Sequence, residues 1–280
     1  MFYKEKNMIF HDASKYCYNW LKAQSFVKEE SLTDWLLYYI SNHNRNVYYK
    51  AFTRNEEASN GSDWEWWILT DECSTTKAYR LLIQAKKLKP NNTDNYPLVT
   101  YSNKNGFQID LLITEARARN ALPLYAYYSC CSPNIDEQCK NINYISDVML
   151  KWCENCVNGC FLTSAFALHK NVFSNPRRKI VDQELIDASF GLSLLDFLWG
   201  EPGEALSLLR EFNNHFKDSN NDRNNWAGIQ HNYKDLPVYV KTLIERREED
   251  LSWLDREFHH EIGILSGVVI VDNRKRIFDQ

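Results

Sequence analysis

Apolar positions set the first expectations. Ile9, Phe10, Tyr16, Trp20 and Leu21 recur at a loose helical spacing, and Trp35, Leu36, Tyr39 and Ile40 line one face of a second helix. Ser31-Leu-Thr-Asp34 reads as the start of that second helix, with the Ser31 hydroxyl accepting a free backbone N–H and Asp34 favoured by the positive end of the helix dipole. From 46 to 129 the texture becomes strand-like, and strands are predicted over 47–53, 63–70, 79–88, 98–102 and 122–129. One helix is predicted among them, over 106–120, where Phe107, Ile109, Leu111, Leu112 and Ile113 give way to a polar stretch with Arg117 and Arg119.

Residues 130–158 are polar and cysteine-bearing, with Pro133, Asn134 and Asn141 breaking any period, so they read as an insertion. Apolar text returns at 159–169. Residues 182–249 look mainly helical, interrupted by the Asn/Asp-rich 217–225, and Gly267-Val-Val-Ile-Val-Asp272 has the character of a buried strand. The expected organisation is α/β: N-terminal helices over 1–45, a core with a mixed central sheet flanked by helices over 46–170, and a mainly helical 171–280 with a terminal strand.

Composition narrows the class. With 280 residues, 44% hydrophobic, the chain has ample material for a buried core. No apolar run approaches the roughly 20 residues of a membrane helix, and residues 1–10 lack the apolar stretch of a signal peptide. A soluble, cytoplasmic protein with no membrane partner is expected, and its eight cysteines are expected to stay reduced. The net charge of −4 argues against bulk electrostatic clamping of DNA, so any nucleic-acid contact has to come from a local patch.

Two predicted strands carry chemistry. Gly61-Ser-Asp-Trp-Glu-Trp-Trp67 puts Asp63 and Glu65 on one face of a strand and Trp64 and Trp66 on the other; Arg80-Leu-Leu-Ile-Gln-Ala-Lys-Lys87 puts Gln84 and Lys86 together. If the strands are neighbours, two acids, an amide oxygen and an ammonium converge. Hard oxygen ligands suit Mg²⁺ or Mn²⁺, and a lysine beside them can orient an attacking water in phosphodiester hydrolysis.

The spacing Gly-x-Asp-x-Glu followed by Gln-x-Lys resembles the Gln-containing variant of the PD-(D/E)xK nuclease superfamily, with Mrr-like restriction endonucleases the nearest named relatives. Together with Ser31-Leu-Thr-Asp-Trp-Leu-Leu37 and Pro123-Leu-Tyr125, these residues also look like a family of bacterial proteins known only as a domain of unknown function, over about residues 30 to 170. The resemblance implies a restriction-endonuclease-like core. It implies that Asp63 and Gln84 bind the metal with help from the Ala85 carbonyl, that Lys86 stands beside the attacking water, and that Glu65 is a ligand or supports the ligands. A further acid from the helical region is expected at Glu57 or Glu56. The chain departs from the plainest pattern in having Gln84 where many members have Glu, and no Pro before Asp63.

Gln108 and Asp110 open the helix after the sheet, where a polar residue can reach the metal or a substrate phosphate; a solvated first turn is the alternative. Lys87, Lys89, Arg117 and Arg119 are candidates for a phosphate-binding patch, or plain surface charges. Cys153-x2-Cys156-x3-Cys160, with Cys139 upstream, has spacing that suits a structural Zn²⁺, although Cys160 also reads as a buried small hydrophobe. His259 and His260 read as a solvated helix face, and Trp64, Trp66 and Trp67 as core.

The expected function is metal-dependent phosphodiester hydrolysis, most simply by an endodeoxyribonuclease with a defence or restriction role, RNA being the other substrate. No DNA-reading module is evident, so recruitment through a partner protein or a homo-oligomer is expected. The alternative is a catalytically silent nuclease fold that binds nucleic acid or a partner protein; metal dependence separates the two.

Overall fold

Residues 2–52, 61–72, 75–87, 102–103, 106–130, 159–166, 168–169, 192–193, 229–246, 249, 251–262 and 265–274 are described in the computed structural model. The chain runs α1 (Phe2–Ala23), α2 (Glu29–His43), β1 (Val47–Ala51), β2 (Trp64–Glu72), β3 (Thr75–Lys87), β4 (Ser102–Asn103), β5 (Gly106–Phe107), α3 (Gln108–Ala118), β6 (Leu122–Tyr128), β7 (Cys160–Ser164) and β8 (Leu192–Ser193). Then follow β9 (Gln230–Asn232), a 3-10 turn (Tyr233–Asp235), α4 (Val238–Glu245), α5 (Leu254–Glu257), α6 (His259–Ile262) and β10 (Gly267–Asp272). The predicted strands at 47–53, 63–70, 79–88 and 122–129 are all present with ends shifted by a few residues. The predicted helix over 106–120 begins at Gln108, because Gly106 and Phe107 form the short strand β5, paired with β4. Most of the predicted strand 98–102 and nearly all of the insertion over 130–158 lie outside the described residues, as does the greater part of 182–249.

The chain divides into two interleaved units, one of residues 1–40, 85–99 and 125–199 and the other of 41–84, 100–124 and 200–280. In the first, Ala13, Cys17 and Leu21 of α1 and Leu32, Leu36 and Leu37 of α2 are buried. Tyr16 stacks on Trp35 at 3.9 Å between centroids, and Trp35 on Tyr39 at 5.0 Å. The helix α2 starts two residues earlier than Ser31: the Leu32 N–H already reaches the Lys28 carbonyl at 3.3 Å, and Glu29 and Glu30 occupy the first turn. Ser31 is thus inside the helix rather than its cap.

The second unit is built on a mixed sheet. Strand β10 lies between β1 and β2, antiparallel to the first (Val47 opposite Val271) and parallel to the second (Gly267 opposite Trp64). That position explains why Val268 to Val271 are apolar at every residue: a strand covered on both faces has no polar side to show. Strand β2 pairs antiparallel with β3, Trp64 opposite Ile83, and β9 also pairs with β3. Trp67, Leu69, Ala78, Val268 and Ile270 share one face and pack against Tyr239, Val240 and Leu243 of α4 and Leu254 of α5. Helix α3 ends in a Schellman motif, with Asn120 at φ 50° and the Ala121 N–H returning to the Ala116 carbonyl at 2.8 Å. The fold is α/β, a mixed sheet with helices against it. No helix among the described residues is long and apolar enough to cross a membrane.

Candidate functional site

Gly61 begins the site. It has φ +74°, and a Cβ there would stand 2.5 Å from the Gln108 carbonyl oxygen and 2.8 Å from the Leu112 nitrogen, so only glycine lets this segment lie against the first turn of α3. The chain then enters the sheet. The Asp63 N–H donates to the Ile83 carbonyl at 2.9 Å, and the Asp63 carbonyl accepts from the Ser266 N–H at 2.7 Å. Asp63 stands just before β2, whose pairing with β3 begins at Trp64 opposite Ile83, and its N–H shares the Ile83 position instead of pairing with Gln84 along the ladder.

Both side chains are nearly buried, Asp63 at 8% and Gln84 at 2% exposure. The Gln84 Nε2 donates to Asp63 Oδ2, and the Gln108 Nε2 donates to Gln84 Oε1 at 2.9 Å. A chain of donors, Gln108 to Gln84 to Asp63, thus ends on a carboxylate. Such a charge-assisted bond contributes about 1.5–3 kcal/mol where the carboxylate is desolvated. Of the residues expected at the metal, Asp63 and Gln84 are brought together, and Gln108 joins them.

Glu65 shares their face but has other company. It is fully buried; Arg80 Nε donates to its Oε1 and the Tyr239 hydroxyl to its Oε2. The Arg80 guanidinium also reaches the Arg119 carbonyl at 3.3 Å and lies 5.0 Å from the Trp67 ring centroid. Burial alone would lower the Arg80 pKa, but Glu65 and Tyr239 raise it on balance; burial and then the Glu65 charge push Tyr239 well above its ordinary range. The phenol therefore stays protonated and donates to the carboxylate. Both carboxylate oxygens of Glu65 are committed to a buried ion pair that anchors α4 to the sheet, so a metal could use Glu65 only by breaking that pair.

Lys86 follows two residues after Gln84 on the same strand and the same side of it. Its Nζ lies 3.9 Å from Glu29 Oε1, with both side chains about one-quarter exposed or less, at 20% and 24%. Lys87, a candidate for phosphate contact or a plain surface charge, has protein partners. Its Nζ donates to the Val27 carbonyl at 2.6 Å and the Ser25 carbonyl at 3.0 Å, while its backbone N–H donates to Glu29 Oε2 at 2.6 Å. Three donors fasten the end of β3 to the turn before α2. Arg119 is likewise engaged, by Glu115 and by the Glu261 carbonyl at 3.3 Å.

Sequence reasoning passed over Glu29. The signal was present: an acid at the head of an amphipathic helix, followed by a second one, favoured by the helix dipole. Placing the helix start at Ser31 left it outside the helix. Glu57, its neighbour Glu56, and Lys89 lie outside the described residues, as do Cys139, Cys153 and Cys156. Cys160 is described and buried beside Cys17; burial pushes the Cys17 thiol up to about 12 and that of Cys160 well above its ordinary value. A protonated thiol packed as a small hydrophobe is the state this environment favours. Among the described residues, no three His, Cys, Asp or Glu side chains are grouped so as to hold a metal ion. Asp63 and Gln84 bring one carboxylate and one amide together, with the amide nitrogen towards Asp63 and the amide oxygen accepting from Gln108.

The sequence profile of a family of unknown function, DUF6615, matches residues 6–276. The chain belongs to this family. The match takes in both units, so 6–45 and 171–276 are as much a part of the DUF6615 pattern as the segments that carry Asp63 and Gln84. A comparison with curated proteins finds no match.

Proposed function

We propose that this DUF6615 protein is a metal-dependent nuclease whose centre is formed by Asp63, Gln84 and Lys86 on a restriction-endonuclease-like core. The observation that supports it is the buried side-chain contact between Asp63 and Gln84, with Lys86 two residues further along the same strand as Gln84. The Asp63 carboxylate, the Gln84 amide oxygen and the Ala85 carbonyl would hold Mg²⁺ or Mn²⁺. Bound there, the ion supplies polarisation of the phosphate and a lowered pKa for the attacking water. Lys86 orients that water and offsets the developing charge, and Glu29 limits where its ammonium can go. Glu65 holds the sheet to α4 instead of contacting substrate.

The substrate class and the setting, DNA cleavage in a cytoplasmic defence or restriction role, rest on the resemblance to Mrr-like enzymes. The net charge of −4 favours recruitment through a partner protein or a second copy of the chain. A second interpretation, the catalytically silent binding module, has one observation in its favour: the Gln84 amide presents its nitrogen, which has no lone pair for a cation, to Asp63.

The test is incubation of wild type and Lys86→Ala with plasmid, linear duplex, single-stranded DNA and RNA, in Mg²⁺, Mn²⁺ or EDTA. Metal-dependent cleavage by wild type alone is expected. Cleavage that persists in EDTA or in Lys86→Ala would remove the proposed centre, and no cleavage of any substrate would favour the silent module.

A further inference from the structure

We infer that Gln108 is a positioning residue that sets which end of the Gln84 amide faces Asp63, so that cation binding there turns both amides together. This rests on the metal-centre reading above. A side-chain amide has a donor end and an acceptor end. Gln84 gives its donor end to Asp63 and receives Gln108 Nε2 on its acceptor end at 2.9 Å. That arrangement suits a bare carboxylate and opposes a cation, because an NH₂ group offers a metal no lone pair.

Turning the Gln84 amide end for end brings its oxygen to the Asp63 side. The terminal torsion of glutamine is broad and nearly two-fold, so the turn itself costs little. Its consequence falls on Gln108: the turned Gln84 nitrogen would now meet the Gln108 nitrogen, donor against donor. The clash is relieved only when Gln108 turns as well and presents its Oε1. Gln108 is partly exposed at the first residue of α3, so its released N–H can be solvated, whereas Gln84 at 2% exposure depends on its protein neighbours. The Gln108 backbone is held in place beside the site, since Gly61 brings the segment leading to Asp63 against the Gln108 carbonyl.

The two amides therefore have two self-consistent states. In one, hydrogen bonds run from Gln108 to Gln84 to Asp63. In the other they run from Gln84 to Gln108, and two oxygens flank the cation position. Gln108 acts by supplying an acceptor in the second state, not by touching phosphate.

The experiment is Mn²⁺ binding, followed by electron paramagnetic resonance, to wild type, Asp63→Asn, Gln108→Leu and Gln108→Glu, with Mg²⁺ titrations of the glutamine side-chain NH₂ signals by NMR. Gln108→Leu removes the acceptor and should weaken Mn²⁺ about tenfold, the loss of one hydrogen bond. Gln108→Glu, an obligate acceptor of the same size, should bind at least as tightly as wild type, and weaker binding in it would overturn the acceptor role. In the wild type, Mg²⁺ should move the NH₂ signals of Gln84 and Gln108 together. Wild-type affinity in Gln108→Leu, or a Gln84 signal that moves alone, overturns the coupling and leaves the metal centre standing. Wild-type protein that binds no Mn²⁺, or binds it equally in Asp63→Asn, overturns the metal centre and the coupling with it.

Discussion

Glu65 on β2 and Arg80 on β3 form a buried ion pair on the same face of the sheet as Asp63 and Gln84, and Tyr239 from α4 completes it. Two carboxylates two residues apart thus have separate employment. One is locked into the packing of the unit, and the other accepts from the Gln84 amide.

Breaking the pair from one side should be far worse than removing it. Glu65→Leu leaves the Arg80 guanidinium buried without its counterion and is expected to cost about 3–5 kcal/mol, whereas the double change Glu65→Leu with Arg80→Met should recover most of that loss. Urea unfolding of the two single variants and the double variant measures it. Additive losses would mean that the two residues act independently.

Gly61→Ala combines a left-handed backbone with a Cβ that has nowhere to go between Gln108 and Leu112. A loss of more than about 1 kcal/mol is expected from the strain alone. Because the same contact sets the first turn of α3, the variant should also displace Gln108 from Gln84. The change in melting temperature reads the first effect and the Gln84 side-chain NMR signals read the second; a variant as stable as wild type would refute the close approach.

His231 gives stability a pH dependence. Its Nε2 meets the Asn120 carbonyl at 2.9 Å and its ring lies edge-on to Trp67 at 5.2 Å; burial lowers its pKa below the ordinary value, with Arg80 adding to the effect. The unfolded state then binds a proton more readily than the folded one, so stability rises with pH in this window. The contribution is present above about pH 6.5, the unfolded value, and is lost as pH falls towards and through the lowered folded value. Melting temperatures from pH 7.5 down to 5 should fall more steeply in wild type than in His231→Gln, and parallel curves would refute this.

The adjacent lysines should separate cleanly. Lys87→Met removes the ammonium that satisfies the Ser25 and Val27 carbonyls and should lower stability by roughly 1–3 kcal/mol, while Lys86→Met should leave stability within about 0.5 kcal/mol and abolish cleavage. Paired melting curves and plasmid assays decide it. Equal stability loss in both would place Lys86 in the scaffold.

Several of these relationships were legible from local periodicity. Strand alternation put Gln84 and Lys86 on one face and Asp63 with Glu65, and the antiparallel neighbours β2 and β3 then leave the Asp63 side chain, at the entry to β2, in reach of Gln84. The burial of Trp64, Trp66 and Trp67 followed from the same alternation and from the sheet being covered. Arg80 was also within reach, as the one charge before the apolar Leu81, Leu82 and Ile83, in phase with Gln84. Longer-range facts were not legible. Nothing local says that β10 from the far end of the chain slides between β1 and β2, because strand order depends on packing across some 200 residues. The division of labour between Lys86 and Lys87 was hidden for a similar reason: it depends on a turn 60 residues earlier whose free carbonyls Lys87 satisfies.

The measurement that bears most directly on the central claim is isothermal titration of Mn²⁺ into wild type and Asp63→Asn, both shown to be folded by their melting curves. A single wild-type site that is lost, or weakened at least a hundredfold, in Asp63→Asn is expected of a cation held by that carboxylate. Equal affinity in the two proteins, or no binding to wild type, would contradict a metal centre at Asp63 and Gln84.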